Sequence, residues 1–179
     1  MTFEEKIIES ELLYRGRILN LRRNKVTSVN GGTSCREIIE HNDGVVMAAI
    51  TNEGKMVMVS QFRIAVGHVV LEAPAGKLED GEDLDMTCRR ELKEETGYTA
   101  EKIQYLGGYY SSCGYCTEKI HVYLCTGLEP GETDFDDNEA LEVEEFPLQE
   151  LYDRVMAGEF EDAKTALAIC LAYQKTKQP

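Results

Sequence analysis

Alternating apolar and polar residues occupy much of the first third of the chain, a period that is typical of half-buried β-strands. Residues 10–42 contain two such runs, and Asn30-Gly31-Gly32 between them is typical of a tight β-hairpin turn. Two apolar runs follow at 44–50 and 55–63, separated by the turn-forming residues 51–54. We therefore expect strands at both runs and a second hairpin between them.

The clearest predicted helix covers residues 83–96. Leu84, Cys88 and Leu92 recur at intervals of four residues and form an apolar stripe on one face. Gly97 follows at the position where a helix commonly ends in a left-handed residue. This pattern predicts an amphipathic helix that ends at Gly97.

The rest of the chain alternates between extended and helical patterns. Residues 68–78 are expected to be extended and interrupted by Pro74 and Gly76. Strands before and after a central helix, with helices at the end, predict an α/β fold, an α/β/α sandwich around a mixed sheet. Residues 1–42 are expected to form a small N-terminal β subdomain, and 43–179 the main domain. The remaining predicted strands lie near 102–110, 119–126 and 141–146, and the remaining helices at 148–158 and 163–175.

The formal net charge of −14 disfavours nucleic acid and anionic membranes as partners, because like charges repel. A phosphate-bearing substrate would also be repelled, unless bound cations reversed the local charge. The sequence contains no run of about 18 apolar residues, and its acidic start lacks the pattern of a signal peptide. These features predict a cytoplasmic protein without a membrane span.

Six cysteines are scattered along the chain, and without a secretion signal we expect reduced thiols and not a disulfide framework. Cys113 and Cys116 form a CxxC pair, which occurs in zinc sites and in redox proteins. The sequence has no second pair, its three histidines are far apart, and the pair does not lie between a strand and a helix. The pattern therefore disfavours both roles.

The stretch from Gly76 to Tyr98 carries the strongest chemical signal in the sequence. Glu91 and Glu95 are four residues apart, so one helical turn places them on the same face, with Glu94 beside them. Like charges at this spacing destabilise a helix, whereas a shared Mg²⁺ would turn the repulsion into a binding site. For these three glutamates taken alone, a solvated acidic helix is the alternative interpretation.

The whole string from 76 to 98 resembles the Nudix box, Gly-x5-Glu-x7-Arg-Glu-U-x-Glu-Glu-x-Gly-U, in which U is bulky and apolar. Glu82 is its first glutamate, Arg90 is its arginine, and the last U differs, being Tyr98. The resemblance implies the Nudix fold and a loop–helix–loop that binds Mg²⁺, with Mn²⁺ as a substitute. It also implies an enzyme that hydrolyses a nucleoside diphosphate linked to a further group.

Segments outside the box resemble the ADP-ribose pyrophosphatase branch of the Nudix family. Gln61-Phe62-Arg63 and Leu71–Lys77 are similar to its QxR and E-x-PAGK segments, and Asp162–Thr165 is similar to its DAKT sequence. Ser112–Gly114, with Glu118 further on, is similar to its SPG-x3-E loop, although a cysteine replaces the proline. The resemblance covers nearly the whole chain and implies that ADP-ribose is hydrolysed to AMP and ribose 5-phosphate.

Two alternatives to this function stay open at the level of sequence. GDP-mannose or another nucleoside diphosphate sugar could be the substrate, since that branch has similar flanking segments. The chain could also be a non-catalytic Nudix-fold module that binds a nucleotide. Such modules commonly lose box carboxylates, however, and here the box is intact.

The resemblance also assigns roles to individual residues of the box. The metal ligands would be the side chains of Glu91, Glu94 and Glu95, together with the backbone carbonyl of Ala75. Arg90 would be mainly structural and would pair with box carboxylates.

A catalytic base is expected outside the box, because this branch carries a glutamate on a loop there. We select Glu139, which precedes the strand-like sequence LEVEEF, and the catalytic candidates on the helix itself are Glu94 and Glu95. The other candidates for the base are Asp136, Asp137 and Glu142.

Two arginines, Arg36 and Arg63, resemble the substrate-binding arginines of this branch. A guanidinium suits phosphate because its fork of donors matches the phosphate oxygens. The residue that stacks on the nucleobase is not identified, and Tyr14 is one possibility. Residues 1–42 are too few to hold a core of their own, so we expect a homodimer, which the resemblance also implies.

Overall fold

The computed structural model describes residues 3–79, 81–133 and 141–177. The chain forms two compact units. The first comprises Met1–Asp43 and Tyr109–Lys119, and the second comprises Gly44–Gly108 and Ile120–Pro179. The first unit thus includes a segment, 109–119, that the sequence analysis grouped with the main domain.

Three antiparallel strands form the sheet of the first unit, in the order β1 (Ile7–Arg15), β2 (Leu19–Thr27) and β3 (Thr33–His41). The predicted turn between β2 and β3 is confirmed, and its Gly31 has a positive φ of 82°. The sequence pattern did not separate β1 from β2. The turn between them depends on Gly16, where an added Cβ would lie 2.8 Å from the Leu19 carbonyl oxygen.

The first unit buries few side chains. Among its described residues, Val26 and Asn24 are the buried ones. Nearly all of β1 is exposed, including the apolar side chains of Ile7, Ile8 and Leu13. The described residues of this unit therefore leave several apolar side chains of β1 exposed.

The second unit contains two sheets and three described helices. Its elements are β4 (Gly44–Ala49), β5 (Lys55–Arg63), β6 (His68–Glu72), β7 (Ala75–Lys77), α1 (Leu84–Thr96), β8 (Thr99–Tyr110), β9 (Lys119–Glu129), β10 (Glu142–Pro147), α2 (Leu148–Met156) and α3 (Ala163–Lys177). A four-stranded sheet has the order β7-β4-β9-β8, in which β4 runs parallel to β9 and antiparallel to β7. An antiparallel sheet has the order β10-β5-β6.

The predicted hairpin between β4 and β5 is wrong beyond its turn. The turn exists, since the Thr51 N–H donates to the Lys55 carbonyl at 2.8 Å and Gly54 has a positive φ of 75°. Ile50 and Met56, which flank the turn, form an isolated β-bridge. Beyond this pair, the two strands belong to different sheets. The reason is that β7 and β9 already pair with both edges of β4.

Helices cover β4 on both sides. Val46, Ala48 and Ile50 pack in a cluster with residues of α2 and α3, and the intervening residues Val45 and Met47 pack with residues of α1. Successive side chains of a strand point to opposite faces, so an apolar run such as β4 can serve two helical layers at once. The predicted α/β/α sandwich around a mixed sheet is confirmed.

The described helices lie where the sequence predicted them. α1 follows the prediction closely, α2 ends two residues early at Met156, and α3 extends two residues further to Lys177. Within the described residues, no helix is both long and apolar enough to cross a membrane.

Candidate active site

Helix α1 is fixed at both ends. The Asp83 carboxylate caps its first turn by accepting a hydrogen bond from the Met86 N–H at 2.8 Å. Gly97 ends it with a positive φ of 75° and donates to the Lys93 carbonyl at 2.8 Å. Its apolar face, with Cys88 and Leu92, is fully buried, so the rotation of the helix about its axis is also determined.

The carboxylate of Glu91 lies against the backbone of β7. An added Cβ at Gly76 would lie 1.8 Å from Glu91 Cδ and 2.1 Å from both of its carboxylate oxygens. Gly76 pairs with Val45 of β4 and is not among the positive-φ glycines. The first glycine of the box is therefore required for the close approach of a carboxylate, and not for an unusual backbone angle.

Glu95 contacts the same strand. Its carboxylate accepts a hydrogen bond from the Ala75 N–H at 2.9 Å, and the residue is 7% exposed. Ala75 and Gly76 thus each meet one glutamate of α1. The structure places Ala75, Glu91 and Glu95 close together, with the contact to Glu95 made by the Ala75 N–H, and their role as metal ligands stays a prediction.

Arg90 joins the remaining glutamates of the box. Its Nε and Nη2 donate to the two carboxylate oxygens of Glu82 at 2.7 and 2.8 Å. Its Nη1 donates to Glu91 and to Glu94, both at 2.9 Å. The prediction that Arg90 pairs with box carboxylates is confirmed. Because one nitrogen contacts both Glu91 and Glu94, these two carboxylates are also near each other.

Arg90 strongly shifts the pKa of Glu82. Hydrogen bonds from Arg90, with further ones from the Thr87 hydroxyl and the Glu79 N–H, lower the pKa of Glu82 to about 2. The hydrogen bond to Glu82 is also the main cause that raises the pKa of Arg90. One arginine therefore faces three glutamates of the box, Glu82, Glu91 and Glu94, and offsets only part of their formal negative charge.

A second polar cluster centres on Glu72, whose side chain is 3% exposed. Arg63 donates to both of its oxygens, from Nε at 2.6 Å and from Nη2 at 2.9 Å, and Lys164 Nζ donates to it as well. Burial alone would raise the pKa of Glu72, but the hydrogen bonds and charges of Arg63 and Lys164 outweigh burial and lower it. Glu72 is therefore a buried carboxylate held by two cations.

The start of α3 completes this cluster. The Asp162 carboxylate accepts hydrogen bonds from Lys164 Nζ at 2.8 Å and from the Thr165 N–H at 3.1 Å, as well as from the Thr165 hydroxyl. The Thr165 oxygen in turn accepts from the Ala73 N–H at 2.8 Å. We refer to the side chains that share these bonds as the Glu72 network: Arg63, Glu72, Asp162, Lys164 and Thr165.

The Glu72 network joins three segments that the sequence analysis recognised separately. Only Arg63 was singled out there as a functional residue. The missed signal is the burial of Glu72 against a half-buried Lys164, and such burial depends on contacts between distant segments. Arg63 is also close to the box, since the charge of Glu95 contributes to raising the pKa of Arg63 after the larger effect of its hydrogen bonds to Glu72.

Other predicted residues lie in the first unit. Arg36 on β3 donates from Nε to Glu5 at 3.0 Å and from Nη2 to the same carboxylate at 2.5 Å, with a further bond to Ser34. Tyr14 is 59% exposed, and Cys113 is exposed. The structure therefore describes Arg36 with a carboxylate partner inside its own unit.

The selected base, Glu139, lies outside the described residues, and so do Asp136 and Asp137. Glu142, another candidate, is described as the first residue of β10 and is exposed. Glu139 as the base stays a prediction.

Within the described ranges, no three His, Cys, Asp or Glu side chains converge in a ready metal-binding arrangement. In the box, Glu91 and Glu94 are turned to Arg90. All six cysteines are free thiols, and the buried pair Cys88 and Cys125 has its sulfur atoms 3.8 Å apart.

Comparison with known proteins identifies relatives over almost the entire chain. The family model described as "NUDIX domain" matches residues 40–167. An ADP-ribose pyrophosphatase of Bacillus subtilis is 42% identical over 170 residues, which cover 94% of this chain and 92% of that protein. A methanol dehydrogenase activator of Bacillus methanolicus is 41% identical, covering 93% and 91%. A GDP-mannose pyrophosphatase of Cronobacter sakazakii is 31% identical, covering 75% of each chain.

A solved structure shares the fold. The crystal structure of an ADP compounds hydrolase superposes with a TM-score of 0.87, covering 97% of this chain and 95% of that one. The two sequences are 22% identical, so this likeness concerns the fold alone.

The close contact at Gly76 leads to a test of the site geometry. Gly76→Ala should displace the Glu91 carboxylate, because the new methyl group overlaps it, and should lower the free energy of unfolding by about 0.5–1.5 kcal/mol, the usual net contribution of a hydrogen bond such as the Arg90–Glu91 bond that is lost. A crystal structure and denaturant unfolding would measure the two effects. In the control Gly32→Ala, where the nearest atom is Ser28 Oγ at 3.4 Å, the change should stay within about 0.5 kcal/mol. Equal stability of both variants, with Glu91 in place, would contradict the interpretation.

Proposed function

Because the chain belongs to the Nudix family of hydrolases, we propose that it cleaves the pyrophosphate bond of a nucleoside diphosphate sugar. ADP-ribose is the preferred substrate, and AMP and ribose 5-phosphate are the products. The proposal rests on one observation: the intact box and the Glu72 network both contact residues 73–76. Glu91 and Glu95 contact Gly76 and Ala75, and the Thr165 hydroxyl holds Ala73.

The residues around β7 suit a divalent cation. Mg²⁺ prefers oxygen ligands, and Glu91, Glu94, Glu95 and the Ala75 carbonyl supply only oxygen. Gly76 leaves the space in which the Glu91 carboxylate approaches the strand. Glu94 is 38% exposed at its side chain, so it can leave Arg90 and turn to a cation at little cost. We infer that these four residues hold Mg²⁺, or Mn²⁺ in its place.

The side chains of the site have different roles in the proposed reaction. When bound, the metal would offset the charge that builds up on the phosphates and would make water more acidic. Arg63 binds the pyrophosphate through its guanidinium. The side chain is 44% exposed, and Glu72 holds the edge of the guanidinium that does not face the substrate. Arg90 offsets part of the mutual repulsion between the box carboxylates. Arg36 as a second substrate arginine stays a prediction.

A water molecule is the nucleophile in this proposal. Its oxygen forms a bond to one phosphorus while the bridging phosphorus–oxygen bond breaks, and the leaving phosphate takes the electron pair of that bond. The carboxylate of Glu139 accepts the proton of the water and releases it to solvent. Glu94 is the alternative base, since it lies on the helix beside the proposed ligands.

GDP-mannose is the second candidate substrate, favoured by the similarity to a GDP-mannose pyrophosphatase. A panel of ADP-ribose, GDP-mannose and other nucleoside diphosphate sugars, assayed with Mg²⁺, distinguishes the two. We expect kcat/KM for ADP-ribose to exceed the others by at least about tenfold, with AMP as product. A preference for GDP-mannose with release of GMP would select the second candidate.

The proposed metal site leads to a test by chelation. Excess EDTA should abolish hydrolysis, because Glu91, Glu94 and Glu95 would lose the cation that offsets their charge next to an anionic substrate. The thermal unfolding midpoint should stay nearly unchanged, since Arg90 already supports the free cluster. Restored turnover on adding Mg²⁺ or Mn²⁺, but not Na⁺, is the control. Full activity in excess EDTA would disprove the metal requirement.

Two glutamine variants separate a metal ligand from the base. Glu95→Gln should weaken metal binding and lower kcat together, because it removes a charged ligand oxygen. Glu139→Gln should leave metal affinity unchanged and lower kcat about 10²–10⁴-fold, the usual effect of losing a positioned acid–base group. Its pH–rate profile should also lose the acidic limb, which reports the ionisation of the base.

The control for both variants is Glu150→Gln on α2, which changes an exposed carboxylate away from the box and should retain wild-type kcat. If Glu139→Gln also retains wild-type kcat, the base lies elsewhere. Glu94, Glu142, Asp136 and Asp137 would then be tested in turn.

The exposed apolar strand β1 supports the proposed homodimer. Ile7, Ile8 and Leu13 are exposed on a unit with few buried residues, so a second copy would cover them. Sedimentation should give the mass of two chains, and Ile8→Lys should weaken the association at least about tenfold by placing a charge in the contact. Met156→Lys, at an exposed position of α2, is the control. A monomer that is fully active at nanomolar concentration would contradict the proposal. The cytoplasmic location stays a prediction.

A further inference from the structure

The first turn of α3 contacts two parts of the site and has no role in the proposed mechanism so far. Lys164 Nζ donates to Glu72 and to Asp162, and the Thr165 hydroxyl accepts from the Ala73 N–H. Thr165 is fully buried, and Lys164 is 20% exposed. These side chains are therefore part of the packed interior beside the box and not surface groups.

We propose that Lys164 and Thr165 are positioning residues for hydrolysis. Lys164 holds Glu72, and through it the guanidinium of Arg63, while Thr165 holds the backbone of Ala73 next to the strand that meets the box. This inference rests on the proposed pyrophosphatase function. It assigns the DAKT sequence at 162–165 a role that its position at the start of a helix does not explain.

Lys164 balances the charge of the Glu72 network. Arg63 and Lys164 carry two positive charges, and Glu72 and Asp162 carry two negative charges, so the four side chains are balanced. Without Lys164, the buried Glu72 would keep Arg63 as its one remaining cationic partner in the network. The guanidinium would then be held more firmly and be less available to phosphate, and the site would gain net negative charge.

Thr165 fixes the geometry of the segment that leads to the box. Its hydroxyl accepts from the Ala73 N–H and donates to Asp162, so it links the capped start of α3 to the strand. Two residues further on, the Ala75 N–H donates to Glu95 of the box helix. Loss of the hydroxyl leaves the buried Ala73 N–H without this acceptor and loosens the segment that presents Ala75 to Glu95.

The two residues should therefore affect different kinetic constants. Lys164→Met should raise KM for ADP-ribose about tenfold and change kcat little, because it acts through a substrate-binding group. Thr165→Val, which has the same shape without the hydroxyl, should lower kcat about tenfold and leave KM nearly unchanged. Thr165→Val should also weaken binding of Mn²⁺ to the substrate-free protein several-fold, measured by electron paramagnetic resonance, whereas Lys164→Met should not.

Conservative variants and matched controls complete the experiment. Lys164→Arg keeps the charge and Thr165→Ser keeps the hydroxyl, so each should recover most of the wild-type constants. Lys175→Met removes an exposed lysine of the same helix, and Thr176→Val removes a hydroxyl that bonds to the Ala172 carbonyl, and neither should change KM or kcat. Circular dichroism would establish that each variant is folded at the assay temperature.

Three results would overturn the inference. The first is that Lys164→Met and Thr165→Val behave like their controls, and the second is that both lose activity only in proportion to unfolded protein. The third is that the conservative variants fail to recover the constants. Failure of the proposed function is distinguishable from all three, because the wild-type protein would then hydrolyse no nucleoside diphosphate sugar, while Mn²⁺ binding would still report the effect of Thr165.

Discussion

Negative charge is concentrated on α1 to a degree that requires cations nearby. Glu91, Glu94 and Glu95 lie within about one turn of each other, and like charges at this spacing destabilise a helix. Arg90 compensates part of this repulsion by bonding to Glu91 and Glu94 with one nitrogen and to Glu82 with its other donors. The remaining negative charge is the physical reason to expect a divalent cation at the site.

The short strand β7 contacts these glutamates and connects them to the rest of the second unit. It has three residues, so its own sheet hydrogen bonds are few and its position depends on its neighbours. The Pro74 carbonyl accepts from the Met47 N–H at 2.8 Å, and the Ala75 N–H donates to Glu95. Because Gly76 has no side chain, Glu91 can approach the strand as closely as it does. The placement of the carboxylates is thus a property of the packed sandwich.

Acidic residues outnumber lysines and arginines in this chain, 33 to 19, yet several cations lie in or beside the box. With a net charge of −14, most of the surface should repel a pyrophosphate. Arg63, Lys164 and Arg90 lie within the two polar clusters, each bonded to a carboxylate that orients it. A cation that is oriented before the substrate arrives loses less freedom on binding it, so fixed cations fit a hydrolase of nucleoside diphosphates.

Local features of this protein could be predicted from its sequence alone. The bounds of α1 and its final glycine follow from periodicity and helix-end chemistry, which act over a few residues. The pairing of Arg90 with box carboxylates was implied by the resemblance to the box, and its bond to Glu94 spans four residues of the helix. The identity of the box residues, and with it the family, could also be recognised from the sequence, whereas Glu139 as the base stays a prediction.

Only the tertiary structure decided which distant segments meet. The separation of β4 and β5 into different sheets depends on β7 and β9, which compete for the edges of β4. Segment 109–119 joins the first unit. The contacts of Glu72 with Lys164 and of Ala73 with Thr165 each span 92 residues of sequence. Local patterns carry no information about such pairs, because burial in a common core, and not spacing along the chain, brings their charges and hydrogen-bonding groups together.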